Sequence, residues 1–268
     1  MDLNVFKDYV VPAFAIMGVA QTWAIRAVNR FLLRPKVEIF KSGLLEIGYS
    51  TFGPTIGIVG TLRITRRDAF VAGFRATVTS TDNATQHNLN WVASRPSDID
   101  GASSSELIFR TPLSFDVKAR QPHQYSIVFH DAAANSQVTG ILRDLHVAWH
   151  QLVLDAKGRM SVNDFLRDSL DDCERVFREQ AHVLDAYEKL TDLCYWTPGK
   201  HRLQVHVDLA DPSTTVSFAF EFEMTEADIA KLKLNAVNLL KQPVDVAVGR
   251  KSPPYNTADL PYTMTKGE

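Results

Sequence analysis

The chain has 268 residues, of which 45% are hydrophobic and 22% charged, with 29 basic against 31 acidic side chains and a formal net charge of -2. These proportions exclude disorder throughout the chain and suffice for one substantial core or two modest ones. The near-neutral balance excludes an overall basic field of the kind that holds nucleic acid.

From Tyr9 to Ile25 the sequence runs as YVVPAFAIMGVAQTWAI, seventeen residues without a charge, followed by Arg26, Arg30, Arg34 and Lys36. A secretory signal peptide carries its positive charges before the apolar run, so that reading is set aside. Val5 and Phe6 extend one end and Arg26 snorkels at the other, which brings the run close to the ~20 residues a bilayer requires. Residues 1–34 are therefore expected to form a single transmembrane helix with a basic flank. A buried or partner-covered helix and an interfacial anchor are the alternatives. The basic excess after the run, against Lys7 balanced by Asp2 and Asp8, places everything beyond it in the cytoplasm. Gly18, Gln21 and Thr22 share a helical stripe with Arg26 and Asn29, a small-and-polar face suited to packing against another helix. Self-association or a membrane partner is the expectation.

After Pro35 the pattern changes to short alternating segments punctuated by glycine: Val37–Phe40, Leu44–Tyr49 and Thr55–Thr65. Gly48, Gly53, Gly57 and Gly60 read as turn and bulge residues, because no Gly-Lys-Ser/Thr and no helix start follow them to cradle a phosphate. Phe70–Thr79 and His87–Ser94 alternate about Ser80-Thr81-Asp82-Asn83 and predict a β-hairpin with Trp91 facing the core. Leu107–Phe109, Phe115–Val117 and Tyr125–Phe129 add short strands, interrupted at Pro112 and Pro122. Ile141, Leu145, Ala148 or Trp149, and Leu152 then recur at helical spacing, predicting a helix that ends before Gly158. A second helix is expected from Ser161, with Asp164 in an approximate capping box, towards Leu190. The two make a helical hairpin over about 139–195, its mixed-sign face solvated.

Thr197–Leu209 and Val216–Met224 form the best hairpin of the chain. Leu203, Val205, Val207 and Leu209 alternate on one strand, Val216, Phe218, Phe220 and Phe222 on the other. A Pro-Gly turn entering such a pair resembles the closing strands of an immunoglobulin-like or arrestin-like β-sandwich. The resemblance implies a mainly β fold, an immunoglobulin-like β-sandwich spanning 35–242 with the helical hairpin inserted. The Cys-Trp-Cys core of true immunoglobulin domains is absent, and the hairpin interrupts the strand order. Thr225–Asp228 caps a last helix through Ile229, Leu232, Val237 and Leu240, expected to stop at Pro243. Residues 243–268, rich in Pro, Thr and Lys, are expected to be an extended or mobile tail.

Chemistry-bearing residues are sparse. His146 and His150 lie one helical turn apart and are the only metal candidates, but Val147 stands where a zinc protease has glutamate and no third ligand is evident. His201 and His206 differ by an odd number, so a strand sends them to opposite faces. Cys173 and Cys194 are too few for a disulfide framework or a four-thiolate zinc site, and on one helix they would lie about 30 Å apart. No catalytic residue, cofactor or small-molecule substrate is identified. The expected function is a membrane-anchored, cytoplasm-facing protein-interaction or scaffolding module within a larger assembly. The alternatives are a membrane effector whose helices oligomerise on a signal sensed by the sandwich, and a metal-dependent hydrolase using His146 and His150.

Overall fold

The computed structural model describes residues 21–24, 35–82, 84–94, 112–159, 167–210 and 213–265. The apolar run at 9–25 therefore lies outside the described residues except for its end, where Gln21–Ala24 are helical. Among the described residues, no helix is long and apolar enough to cross a membrane.

The elements follow in chain order. Strands β1 (Lys36–Lys41), β2 (Leu45–Ser50), β3 (Gly53–Thr65), β4 (Ala69–Ser80), β5 (Gln86–Ser94), β6 (Phe115–Val117) and β7 (Pro122–His130) come first. Helices α1 (Ala132–Arg159), α2 (Arg167–Arg178) and α3 (Ala181–Leu193) intervene before β8 (Gly199–Ala210) and β9 (Ser213–Met224). Helices α4 (Glu226–Lys233) and α5 (Asn235–Ala247) and strands β10 (Thr257–Leu260) and β11 (Tyr262–Thr265) are the last of the described elements. The fold is mainly antiparallel β with a few helices.

Hydrogen bonding joins all of these strands into one sheet, in the order β10-β2-β3-β7-β5-β4-β8-β9-β11, with β1 on β3 and β6 on β4. The long β3 is paired end to end along one side, by β2 over Gly53–Gly57 and by β1 over Gly60–Thr65. The two ends of the strand path are separated in sequence by Pro261 alone: β10 pairs with β2 and β11 with β9. Proline has no N–H to donate to a ladder, so the chain leaves one edge and joins the other there without losing a hydrogen bond.

Alternation decides which face is inside. On β8, Leu203, Val205, Val207 and Leu209 are buried, and on β9 Phe218, Phe220, Phe222 and Met224 face the same core, as their spacing predicts. The expected hairpin about Ser80–Asp82 forms, with Thr79 opposite Gln86, and Trp91 packs edge-on against Phe74 at 5.2 Å. Gly60 is required by packing: a Cβ there would stand 2.5 Å from the Tyr125 hydroxyl and 2.7 Å from the Phe40 carbonyl oxygen.

The helical region departs from expectation at its boundaries. Helix α1 starts at Ala132, well before Ile141, because Asp131 caps it: Oδ1 accepts from the amides of Ala133 (2.9 Å) and Ala134 (3.1 Å). The expected second helix is two, α2 and α3, broken where Gln180 adopts an extended conformation. Residues 161–166, with the expected cap, lie outside the described residues. A separate small core of Leu145, Trp149, Phe177, Val183 and Val244 holds these helices to α5.

Thr225 and Asp228 form the predicted capping box of α4. The helix breaks at Leu234 instead of Pro243, and Pro243 sits inside α5. The segment beyond is no loose tail. Ala258, Leu260 and Tyr262 are buried, and β10 and β11 complete the sheet.

Asn235, at the start of α5, is fully buried and satisfies every capacity of its amide. Nδ2 donates to the carbonyls of Tyr49 and Asn256, both at 2.8 Å, and Oδ1 accepts from the Asn256 backbone (2.8 Å) and side-chain (3.1 Å) N–H groups. Replacing Asn235 with alanine strands several buried polar groups and is expected to cost roughly 3 kcal/mol or more, read as a shift in urea midpoint. An unchanged midpoint would show that water replaces the amide without loss.

Candidate functional site

The sequence-derived candidates are scattered. His146 and His150 are both exposed on α1, on either side of the buried Trp149. Among the described residues, no group of three or more His, Cys, Asp or Glu is placed to hold a metal ion. Gln21 and Thr22 are helical and exposed, whereas Gly18, Arg26, Arg30 and Arg34 lie outside the described residues. Lys36 opens β1 and pairs with Glu38 at 2.9 Å, so it belongs to the sheet. Cys173 and Cys194 are free and buried on separate segments, and burial pushes the Cys194 thiol up to about 12.

His201 and His206 do fall on opposite faces. His206 Nδ1 lies 2.8 Å from the Ser217 hydroxyl on the outer side, while His201 is 3% exposed and points inward. The inward face brings His201 to a cavity of about 150 Å³, partly open to solvent, at one end of the sheet interior. The β4–β5 hairpin supplies Val78, Ser80, Thr85 and His87, and the connection from α3 into β8 supplies Tyr195, Trp196 and Thr197. Register explains the grouping: Ser80 lies opposite His201, and Val78 opposite His87.

Each ring in this cavity is held. His201 Nε2 lies 2.8 Å from the Thr197 carbonyl oxygen, and its ring stacks on Phe222 at 5.2 Å and meets Trp196 edge-on at 6.3 Å. A carbonyl only accepts, so Nε2 carries the hydrogen and Nδ1 presents a lone pair. Burial lowers the His201 pKa, an effect opposed by the Thr197 carbonyl and the Asp82 charge, and favours this neutral form. Trp196 Nε1 donates to the Gly48 carbonyl at 3.3 Å. His87 lies flat on Tyr195, centroids 3.6 Å apart, with Nδ1 3.5 Å from Asp131 Oδ2. Asp131 thus caps α1 with one oxygen and faces His87 with the other.

Two polar atoms of residues around the cavity, His201 Nδ1 and Tyr195 Oη, are buried out of reach of solvent and have no hydrogen-bond partner among the described residues. Gly199 fixes the turn beside them. Its φ is +114°, and any Cβ would stand 2.0 Å from Asp82 Oδ2.

A second concavity, of about 190 Å³, lies on the helical layer between α2, α3 and α5. Phe177, Val183, Leu184, Tyr187, Val237 and Leu240 form its apolar wall. Leu184 is 57% exposed and Tyr187 38%. Glu174, Arg178 and Lys241 edge the groove, and Arg250 reaches Glu174 at 2.9 Å to tie the end of α5 to α2.

The sequence carried a signal for the cavity. His201 is in phase with Leu203, Val205 and Val207, and His87 with Leu89, so strand parity alone sends both inward. Nothing local announces Tyr195 and Trp196, which sit in an irregular connection. Compared with protein-family models, curated proteins and solved structures, the chain matches none.

Burial lowers the pKa of His123, His130 and His201 below the ordinary imidazole value of 6.5. The unfolded chain therefore binds more protons than the native one as pH falls through about 6.5, and stability must drop on acidification. Melting temperature is expected to fall between about pH 7.5 and pH 5.5, before the carboxylates titrate. A melting temperature that rises over that interval would mean the three rings are charged in the native state.

Proposed function

We propose that this chain is a protein-interaction module, attached to a membrane by its N-terminal apolar run and facing the cytoplasm, which docks a partner helix on its helical layer. The groove between α2, α3 and α5 carries the reading, since it leaves Leu184 and Tyr187 exposed one turn apart beside an apolar wall. The fitting partner is an amphipathic helix whose apolar face fills the groove and which brings a carboxylate to Lys241. On this reading the β-sheet is a rigid platform. The single core it encloses supports a sandwich-like arrangement of its strands, with β8 and β9 as the closing pair.

A second reading, an effector whose N-terminal helices assemble when the β domain takes up a signal, is favoured by the cavity at His201.

Leu184→Asp is expected to leave melting within a few degrees of the parent, because the side chain is half exposed, and to reduce partner co-purification from detergent extracts by tenfold or more. Full-length chain is expected to resist carbonate extraction, whereas a chain beginning at Pro35 is released. Equal release of both would remove the membrane attachment; undiminished co-purification by Leu184→Asp would remove the groove.

A further inference from the structure

We propose that the end of the sheet at which the chain enters β1 is a binding surface for anionic lipid headgroups. The proposal rests on the membrane attachment proposed above, and adds which surface meets the bilayer and what lipid chemistry it reads.

Register assembles the surface. Lys36, the first residue of β1, lies opposite Thr65 at the end of β3, so the β3–β4 turn with Arg66 and Arg67 stands beside the point of entry. The β6–β7 turn is bonded to it: the Arg120 amide donates to the Ile64 carbonyl and the Ala119 amide to Asp68 Oδ1, both at 2.7 Å. Among the described residues of this end, Lys36, Arg63, Arg66, Arg67, Lys118 and Arg120 outnumber Glu38, Asp68 and Asp116. Glu38 is shared by Lys36 and Arg63, whereas Arg66, Lys118 and Arg120 are exposed and have no ion-pair partner among the described residues.

The backbone supplies a second observation. Arg66 (φ +80°) and Arg120 (φ +65°) both lie in the left-handed region, which glycine enters freely and an L side chain does not. Two bonded turns thus each hold a strained conformation with an arginine in place. Strain kept at exposed side chains that make no ion pair points to a role outside the fold.

Tether length aims the surface. Nine residues, 26–34, separate Ile25 at the end of the apolar run from Pro35, and fully extended they span at most about 35 Å. The β4–β5 hairpin stands at the far end of the 12-residue β4, roughly 40 Å away. The end with Arg66 and Arg120 is therefore the one held next to the bilayer, and Arg26, Arg30 and Arg34 of the tether add to its charge. Near an anionic membrane each basic side chain strengthens binding about fivefold. The tether favours lipid over nucleic acid as the polyanion, because it fixes a high local concentration of headgroups.

The test uses full-length protein in nanodiscs of phosphatidylcholine alone or mixed with phosphatidylserine. A dye on Gln121→Cys, in the β6–β7 turn, reports energy transfer to headgroup-labelled lipid, and the same dye on Gln86→Cys, beside the β4–β5 hairpin, is the control. Cys173 and Cys194 are buried and do not compete for the label. Phosphatidylserine is expected to raise transfer from position 121 and not from position 86. Salt at about 1 M, where the screening length falls to about 3 Å, is expected to abolish the rise. The double variant Arg66→Gly, Arg120→Gly is expected to lower the ratio of lipid-bound to free domain about tenfold or more, with melting within a few degrees of the parent, since glycine suits both backbones. Lys118→Gln, expected to lower the ratio severalfold, stands in should the double variant not fold. The proposal is overturned if phosphatidylserine leaves transfer from position 121 unchanged, if the folded variants keep the full rise, or if a DNA duplex binds the protein more tightly than phosphatidylserine vesicles do. Protein that does not enter phosphatidylcholine discs refutes the membrane attachment alone. The surface is then read by co-sedimentation with phosphatidylserine vesicles: binding that the variants weaken supports it, and no binding overturns it.

Discussion

One buried amide ties the sheet to its helices at three chain segments at once. Asn235 stands where α4 gives way to α5, and its side chain reads the end of β2 through the Tyr49 carbonyl and the approach to β10 through Asn256. Three of these bonds pair backbone groups that a sheet edge or a loop would otherwise leave in an apolar interior. A set of directional bonds of this kind fixes the distance between three chain segments far apart in sequence. Hydrophobic contact alone would tolerate sliding. With that distance set, β10 lies on β2, Pro261 turns the chain, and β11 reaches β9.

A second shared point lies at the start of α1. Asp131 ends β7, caps α1 and presents its remaining oxygen to His87. The start of the longest described helix and the wall of the histidine cavity are therefore held by the same carboxylate. Tyr49 does something similar for α3, donating its hydroxyl to the Leu190 carbonyl just before the chain turns through Tyr195 and Trp196. The aromatic wall is positioned by bonds to the sheet on one side and by the end of a helix on the other. The rings are thus held by rigid elements on both sides.

The cavity and the groove differ in kind. The cavity is walled by aromatic rings together with the hydroxyl-bearing Ser80, Thr85 and Thr197. The groove is lined by aliphatic and aromatic carbon with charge only at its edge, and it demands area and shape. The chain thus presents two concavities of different chemistry, one beside the end of α3 and one between α2, α3 and α5.

Strand character was legible wherever alternation is strict. Leu203 to Leu209 and Phe218 to Phe222 face the core because side chains on a strand alternate with period two, and the same parity sends His201 inward and His206 outward. The Thr225–Asp228 cap was equally legible, being a local hydrogen-bond pattern spanning four residues. Helix boundaries elsewhere were not: Asp131 as a cap precedes a stretch of alanines without apolar periodicity, and the break at Leu234 answers to Asn235 being drawn into the sheet. Residues 257–265 read as part of an extended or mobile tail because short stretches of mixed polarity carry little burial signal by themselves. Their strand state comes from edges of β2 and β9 left open by the rest of the fold. The sequence by itself determined a mainly β protein with a helical insertion and the inward direction of His87 and His201. Only the tertiary structure decided that Tyr195 and Asp131 meet His87, because proximity between segments distant in sequence depends on which strand edges pair, and no local pattern encodes that.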